Sequence, residues 1–208
     1  MTDLPSQPPC LVDFQHVNRY WDRIHKTWVA KILPGEFYVT IEENEAISTT
    51  LGSCVSACMR DKVLGIGGMN HFMLPQQGKY GTNTWTDFAT RYGSYAMEHL
   101  INNILKNGGT RSNLEIKLTG GGKIIAKMTD VGAKNIAFAL DYLQTENLAL
   151  TTQDVGDIYP RKIIYFPASG RLRVKKLRTL QNNTVIQREQ VYLDELSAQS
   201  GSGEVELF

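Results

Sequence analysis

The chain has 208 residues, a formal net charge of +1 at pH 7, 42% hydrophobic and 21% charged residues, which is typical of an ordinary folded protein. This charge argues against a nucleic-acid partner, and no apolar run approaches the roughly 20 residues needed for membrane insertion. The three cysteines, at positions 10, 54 and 58, do not form a disulfide framework, and the N-terminus lacks the apolar core of a secretion signal. We therefore expect a reduced, cytoplasmic protein.

The N-terminal half is predicted to be rich in strands. Residues 1–27 are expected to be a lead with a short helix at about 14–26, because apolar residues recur there at spacings of three and four. Strands are expected between turn signals, at residues 28–32, 37–41, 47–51, 55–59 and 63–73. A polar loop is expected to follow at about 76–86.

The C-terminal half adds two predicted helices. One apolar stripe ends at Leu105, just before the stop signal Asn107-Gly108-Gly109, and a second stripe covers residues 136–143. Further strands are expected at residues 114–118, 148–152, 162–166 and 171–177, the last two as a hairpin. The pattern predicts a mixed-sheet α/β sandwich with two main helices. Its domain would span 28–180, followed by a polar, flexible tail at 181–208.

Cys54 and His71 are the first candidates for chemistry. If the chain folds back at about residues 61 and 62, Cys54 falls nearly opposite Met69, and His71 shares its face of the sheet. A free thiol has a pKa of about 8.5, so an adjacent imidazole that takes its proton generates the nucleophilic thiolate. The imidazole can then return the proton to a leaving group.

The residues around the cysteine supply the other groups that such a pair needs. A third polar group usually orients the imidazole, and Ser48, Thr49 and Thr50 are candidates. If Gly52, Ser53 and Cys54 form a corner, their backbone amides can bind the oxyanion of a tetrahedral intermediate, which makes Ser53 a candidate substrate-binding residue. From this pattern alone, a cysteine and a histidine on neighbouring strands are more often core packing than catalytic groups.

The pair lies in two of six short motifs. In chain order they are ISTTLGSCVSAC at 47–58, GGMNHFMLP at 67–75, LTGGGK at 118–123, DVGAKN at 130–135, DVGD at 154–157 and RKI at 161–163. Together, over about residues 38–178, they resemble the CheD family of bacterial chemotaxis in the order of its motifs. Several motifs in register are far more specific than one cysteine and one histidine.

The resemblance implies a fold similar to toxin-type deamidase domains and the hydrolysis of chemoreceptor glutamine amides to glutamate and ammonia. It implies Cys54 as nucleophile and His71 as general base and acid. The family's third catalytic residue is a threonine six positions before the cysteine, where this chain has Ser48, with Thr49 next to it. No metal or organic cofactor is implied. The implied partners are the cytoplasmic helical bundle of a chemoreceptor and a CheC-type phosphatase.

A basic strand face is predicted near the end of the domain. Arg171, Arg173 and Lys175 alternate with Leu172 and Val174, so the three cations share one face. A solvated outer face is the simpler explanation. The alternative hypothesis is that Arg171 and Arg173 bind acidic receptor helices and steer their association.

Two other functions stay open from the sequence. One is a non-catalytic chemotaxis adaptor that binds receptors or a CheC-type phosphatase through the same groove. The other is a different thiol hydrolase or a transglutaminase, which efficient amine incorporation would reveal. Nothing in the sequence demands more than a monomer.

Overall fold

The computed structural model describes residues 4–75, 82–124, 131–178 and 183–199, with the backbone alone at 82–88, 183 and 197–199. The strands in this part of the chain are β1 (Asn18–Asp22), β2 (Thr27–Lys31), β3 (Phe37–Thr40), β4 (Glu45–Leu51), β5 (Val55–Asp61), β6 (Gly67–Asn70), β7 (Leu114–Gly120), β8 (Leu150–Val155), β9 (Arg161–Phe166) and β10 (Arg171–Lys176). The helices are α1 (Thr82–Lys106), α2 (Val131–Thr145) and α3 (Asn183–Gln199).

The strands form two five-stranded sheets. Sheet A has the order β1-β2-β4-β9-β10, and sheet B has the order β3-β6-β5-β7-β8. Both sheets contribute to one buried core, for example through Ile47 and Tyr165 of sheet A and Val55 of sheet B. Helix α1 packs on β3, β5 and β6, and α2 packs on β5, so both helices lie against sheet B. The predicted α/β sandwich is confirmed.

The two central strands β4 and β5 are buried along almost their whole length, as expected for strands covered on both faces. They belong to different sheets, so residues 52–54 cross from sheet A to sheet B. The candidate cysteine therefore lies at a crossing point where both ends of the segment are fixed by core strands.

Most predicted elements are found, but the N-terminal helix is wrong. Residues 18–22 form β1, which pairs with β2 and places Trp21 opposite Trp28. The Asp22 carboxylate accepts hydrogen bonds from the backbone N–H groups of Ile24 and His25, which closes a turn where the prediction continued a helix. The exposed Ile24 takes no part in the core.

The predicted flexible tail is also wrong for residues 183–199, which form helix α3. The predicted loop at 76–86 is tested only from residue 82, where α1 already begins, because residues 76–81 lie outside the described ranges. The domain limits remain a prediction. Among the described helices, none combines the length and the apolar character that crossing a bilayer requires.

Candidate active site

The segment 52–54 is fixed by hydrogen bonds that its three carbonyl groups accept. Those of Gly52 and Cys54 accept hydrogen bonds of 2.7 Å from the backbone N–H groups of Gly122 and Gly121. The carbonyl of Ser53 accepts one of 2.9 Å from the side-chain amide of Asn135. The backbone N–H groups of the same three residues all donate to one carboxylate, so they point into a common space.

Glycine at position 120 is what allows this approach. Gly120 has a φ of 112°, in the region that favours glycine, and a Cβ there would overlap the carbonyl oxygen of Cys54. The neighbouring Gly121 also has a positive φ, 67°. The glycine-rich motif at 118–123 thus supports the cysteine segment.

His71 is fixed through its backbone and through one ring nitrogen. Its N–H donates to Glu36 at 2.9 Å and its carbonyl accepts from Gly35 at 2.8 Å. The Thr49 hydroxyl oxygen lies 2.7 Å from His71 Nδ1 and donates to the carbonyl of Ile32 at 2.8 Å. A hydroxyl has one proton, so Thr49 accepts from Nδ1–H, and His71 Nε2 carries the lone pair.

Cys54 and His71 meet, although the predicted strand register is wrong. Met69 pairs with Cys58, which places Met73 opposite Cys54 where the sequence prediction placed Met69. This difference of four residues is an even number, so it keeps each side chain on its face of the sheet. His71 is therefore a diagonal neighbour of Cys54 on the predicted side. The Cys54 Sγ and a His71 ring nitrogen lie within 4.8 Å of each other.

Glu189 of α3 occupies the space in front of residues 52–54. One carboxylate oxygen accepts the N–H groups of Gly52 at 2.7 Å and Cys54 at 3.2 Å. The other accepts the N–H of Ser53 at 2.8 Å and its hydroxyl at 2.7 Å. Its exposed fraction is 3%. The carboxylate is thus bound by four donors in the position where a cysteine hydrolase binds an oxyanion.

The electrostatics of the site favour the neutral forms of Cys54 and His71. Burial raises the pKa of the Cys54 thiol well above its usual value, and the Glu189 carboxylate raises it further. Burial lowers the pKa of His71 to about 3, and the Arg188 guanidinium contributes to the lowering. With α3 in place, a neutral thiol therefore faces a neutral imidazole at pH 7.

The same three side chains could also hold a metal ion. Cys54, His71 and Glu189 offer one sulfur, one nitrogen and one oxygen atom within 4.8 Å of one another. Thiolate, imidazole and carboxylate are all donors that occur in zinc sites. A metal would share the carboxylate with four hydrogen-bond donors that already bind both its oxygen atoms.

The structure brings only some of the other predicted site residues close to Cys54. Ser53 and Thr49 lie at the site, while Ser48 lies on the opposite face of β4 from Thr49, because side chains alternate along a strand. Ser48 pairs with Ile164, which pairs with Arg173, and directly opposite residues share a face. Arg173 and Arg171 are therefore exposed on the far face of sheet A and are not brought to Cys54.

Two residues at the site are not found by sequence reasoning. Asn135 lies in one of the six motifs. Its side chain donates to the Ser53 carbonyl and accepts from the N–H of Leu74, and both partners are distant from it in sequence. Glu189 falls in the predicted flexible tail. Its helix has a detectable signal, since Val185, Glu189, Tyr192, Leu193 and Leu196 recur at spacings of three and four. An acid in the middle of that stripe hides the pattern.

Known proteins resemble this chain over most of its length. A family model described as CheD chemotactic sensory transduction matches residues 73–176. A protein of Halorhodospira halophila named probable chemoreceptor glutamine deamidase CheD is 57% identical, covering 97% of this chain and 94% of that protein. Proteins of the same name are 51% identical in Hahella chejuensis, covering 98% and 97%, and 52% identical in Methylobacillus flagellatus, covering 92% and 95%. These matches confirm the resemblance carried by the six motifs: the chain belongs to the CheD family.

Proposed function

We propose that this chain is a protein-glutamine deamidase that converts glutamine side chains of chemoreceptors to glutamate, with Cys54 as its nucleophile. The observation that carries the proposal is the cradle of three backbone N–H groups at 52–54, next to a thiol and an imidazole of fixed tautomer. The names of the relatives support the substrate, since each is described as a probable chemoreceptor glutamine deamidase.

The first half of the reaction forms a thioester. His71 Nε2 takes the proton of the Cys54 thiol as Sγ attacks the carbon of the glutamine amide. The carbonyl oxygen becomes an oxyanion, which the N–H groups of Gly52 and Cys54 bind. His71 then gives the proton to the departing nitrogen, the C–N bond breaks, and ammonia leaves.

The second half releases glutamate. His71 Nε2 takes a proton from a water molecule as its oxygen attacks the thioester carbon, and the C–S bond breaks. Sγ regains a proton from His71, so the enzyme returns to its initial state. Thr49 keeps Nδ1 protonated throughout and so keeps Nε2 as the nitrogen that exchanges protons. Every step uses backbone and side-chain groups of this chain, the substrate and water.

The same proposal includes the protein substrate, the compartment and a second protein partner. The proposed substrate is the cytoplasmic helical bundle of a chemoreceptor, and the proposed enzyme acts on it in the cytoplasm as a monomer. A CheC-type phosphatase would be a second partner. The receptor glutamine must reach a site that Glu189 fills here, so binding requires that α3 move.

The test is to incubate the protein with a chemoreceptor cytoplasmic fragment and map glutamine-to-glutamate conversion by mass spectrometry. We expect conversion by the unmodified chain, none by Cys54→Ala, and conversion by Cys58→Ala. Cys58 is a matched control because it is equally buried and lies on β5, four residues after Cys54 and outside the site. Binding without conversion by the unmodified chain would favour the non-catalytic adaptor, and loss in both variants would remove Cys54 as the specific nucleophile.

A further inference from the structure

Glu189 lies in the buried face of its helix, which is an unusual place for an acid. The same face carries Leu193 and Leu196, with exposed fractions of 6% and 2%, and Leu193 belongs to the main core. Tyr192, one position before Leu193, forms a hydroxyl–hydroxyl hydrogen bond with Tyr92 of α1. A buried carboxylate is costly unless it is fully hydrogen-bonded, and here the donors come entirely from residues 52–54.

Those donors fit a glutamate better than a glutamine. Both oxygens of a carboxylate accept hydrogen bonds, and here each accepts two. The NH₂ group of an amide cannot accept from the N–H of Ser53 and can only donate to its hydroxyl. The docked side chain therefore has the chemistry of the reaction product, and it is presented by a helix, as a receptor glutamine would be.

We propose that α3 is a built-in product-like ligand: it occupies the groove where a substrate helix presents its glutamine, and it holds the enzyme closed until it is displaced. The inference rests on the proposed deamidase function and adds to it a self-inhibiting segment. Cys54 is fully buried in this arrangement, so a receptor helix and α3 compete for the same site.

The proposal makes this chain a substrate of its own site after one substitution. Glutamine has the same number of side-chain carbons as glutamate, so the amide introduced by Glu189→Gln reaches the same three N–H groups. Cys54 Sγ attacks its amide carbon, His71 passes the thiol proton to the departing nitrogen, and ammonia leaves. Water then cleaves the thioester, restoring the Cys54 thiol and leaving glutamate at position 189.

The experiment follows residue 189 by peptide mass spectrometry in purified Glu189→Gln. We expect conversion to glutamate, or loss of ammonia with a crosslink between Cys54 and residue 189 where water enters the closed site slowly. Glu189→Gln combined with Cys54→Ala should keep its glutamine. Glu195→Gln is the matched control, because Glu195 is exposed on the same helix and its replacement should stay an amide.

Adding a receptor fragment to the same reaction distinguishes failure of this inference from failure of the deamidase proposal. Converted receptor glutamines with an unchanged amide at position 189 overturn the inference and leave the deamidase intact. An unchanged amide at position 189 with an unconverted receptor overturns the deamidase proposal, and this inference with it. Gln187 and Gln190, neighbours of residue 189 on α3, report non-specific deamidation within the same peptide.

Glu189→Ala gives a second readout that does not depend on self-conversion. Removing the carboxylate should raise the rate of receptor deamidation by roughly tenfold, the factor expected if the docked helix holds about nine-tenths of the molecules closed. If Glu189 instead acts in the chemistry or holds a required metal, the same variant loses activity. A rate equal to or below that of the unmodified chain overturns the inference.

Discussion

The two walls of the active site are built in different ways. On the strand wall, residues 52–54 and His71 are held by backbone hydrogen bonds to the glycine-rich segment and to residues 35 and 36. On the opposite wall, the described part of α3 is joined to the site by hydrogen bonds of its side chains, chiefly the Glu189 carboxylate and the Tyr92–Tyr192 pair. The strand wall cannot move without breaking core strands, whereas the self-inhibition proposed above requires that α3 leave the groove.

This difference matches the two tasks of the site. In the proposed reaction the nucleophile, the base and the oxyanion donors need fixed positions, since catalysis depends on groups that are already oriented when the substrate arrives. In the same proposal the occupant of the groove must exchange with the substrate. A helix held by side chains can do so at a lower cost than a segment held by its backbone.

After the loss of the nucleophile itself, the largest expected effect comes from the strand wall, at Thr49. Thr49→Val removes the hydroxyl that accepts Nδ1–H of His71, so the tautomer is no longer fixed. We expect kcat to fall by about 10- to 100-fold with little change in KM, a part of the ~10²–10⁴ that acid–base catalysis contributes. Kinetics of ammonia release with a receptor fragment measures it.

Two variants sharpen this test. Thr49→Ser should keep most of the activity because it keeps the hydroxyl. Ser48→Ala should change kcat by less than about twofold, because Ser48 lies on the other face of β4. A larger loss from Ser48→Ala than from Thr49→Val would transfer the orienting role to Ser48, as the family motif implied.

The next effect tests the α3 wall through the reactivity of Cys54. Burial and Glu189 raise the thiol pKa, so at pH 8 only a small fraction is thiolate, the form that iodoacetamide attacks. Glu189→Ala removes the negative charge that opposes deprotonation and opens the site. We expect alkylation of Cys54 to become about tenfold faster.

The pH dependence of Cys54 alkylation shows whether Glu189 raises the thiol pKa. Alkylation of Cys54 in the unmodified chain should keep rising above about pH 9, because the thiol pKa is raised above its usual range, and the Glu189→Ala profile should level off at lower pH. Cys58 is the internal reference. Burial raises the pKa of its thiol and outweighs the opposing effect of Lys117, so Cys58 should stay unreactive in both proteins. Equal profiles for Cys54 would show that Glu189 does not control the thiol.

The strand wall can be predicted from sequence, and the reason is its local chemistry. Cys54 and His71 are identified by residue type and strand alternation, and the even shift in register leaves their shared face unchanged. The shift itself is not predictable, because it depends on the turn after Asp61. The Asp61 carboxylate accepts the N–H groups of Val63 and Leu64, which moves the fold-back point along the chain.

The α3 wall cannot be predicted, because its stability depends on contacts made across the molecule. The segment is polar overall, and Glu189 interrupts its apolar stripe with a charge whose partners are distant in sequence. The partners are Gly52, Ser53 and Cys54, about 135 residues earlier in the chain. The first strand is missed for a related reason, since β1 is defined by its pairing with β2.

The smallest expected effect lies outside both walls, on the exposed basic face of β10. Arg171→Glu with Arg173→Glu should leave self-conversion of Glu189→Gln unchanged, because Arg171 and Arg173 face away from Thr49 and the cysteine segment. If this face attracts acidic receptor helices, KM for a receptor fragment should rise about threefold at low salt and by less at about 0.5 M salt, where screening weakens surface attraction. Steady-state kinetics at two salt concentrations measures it. An unchanged KM at low salt would assign the face to solvation alone, and an altered kcat would contradict its separation from the site.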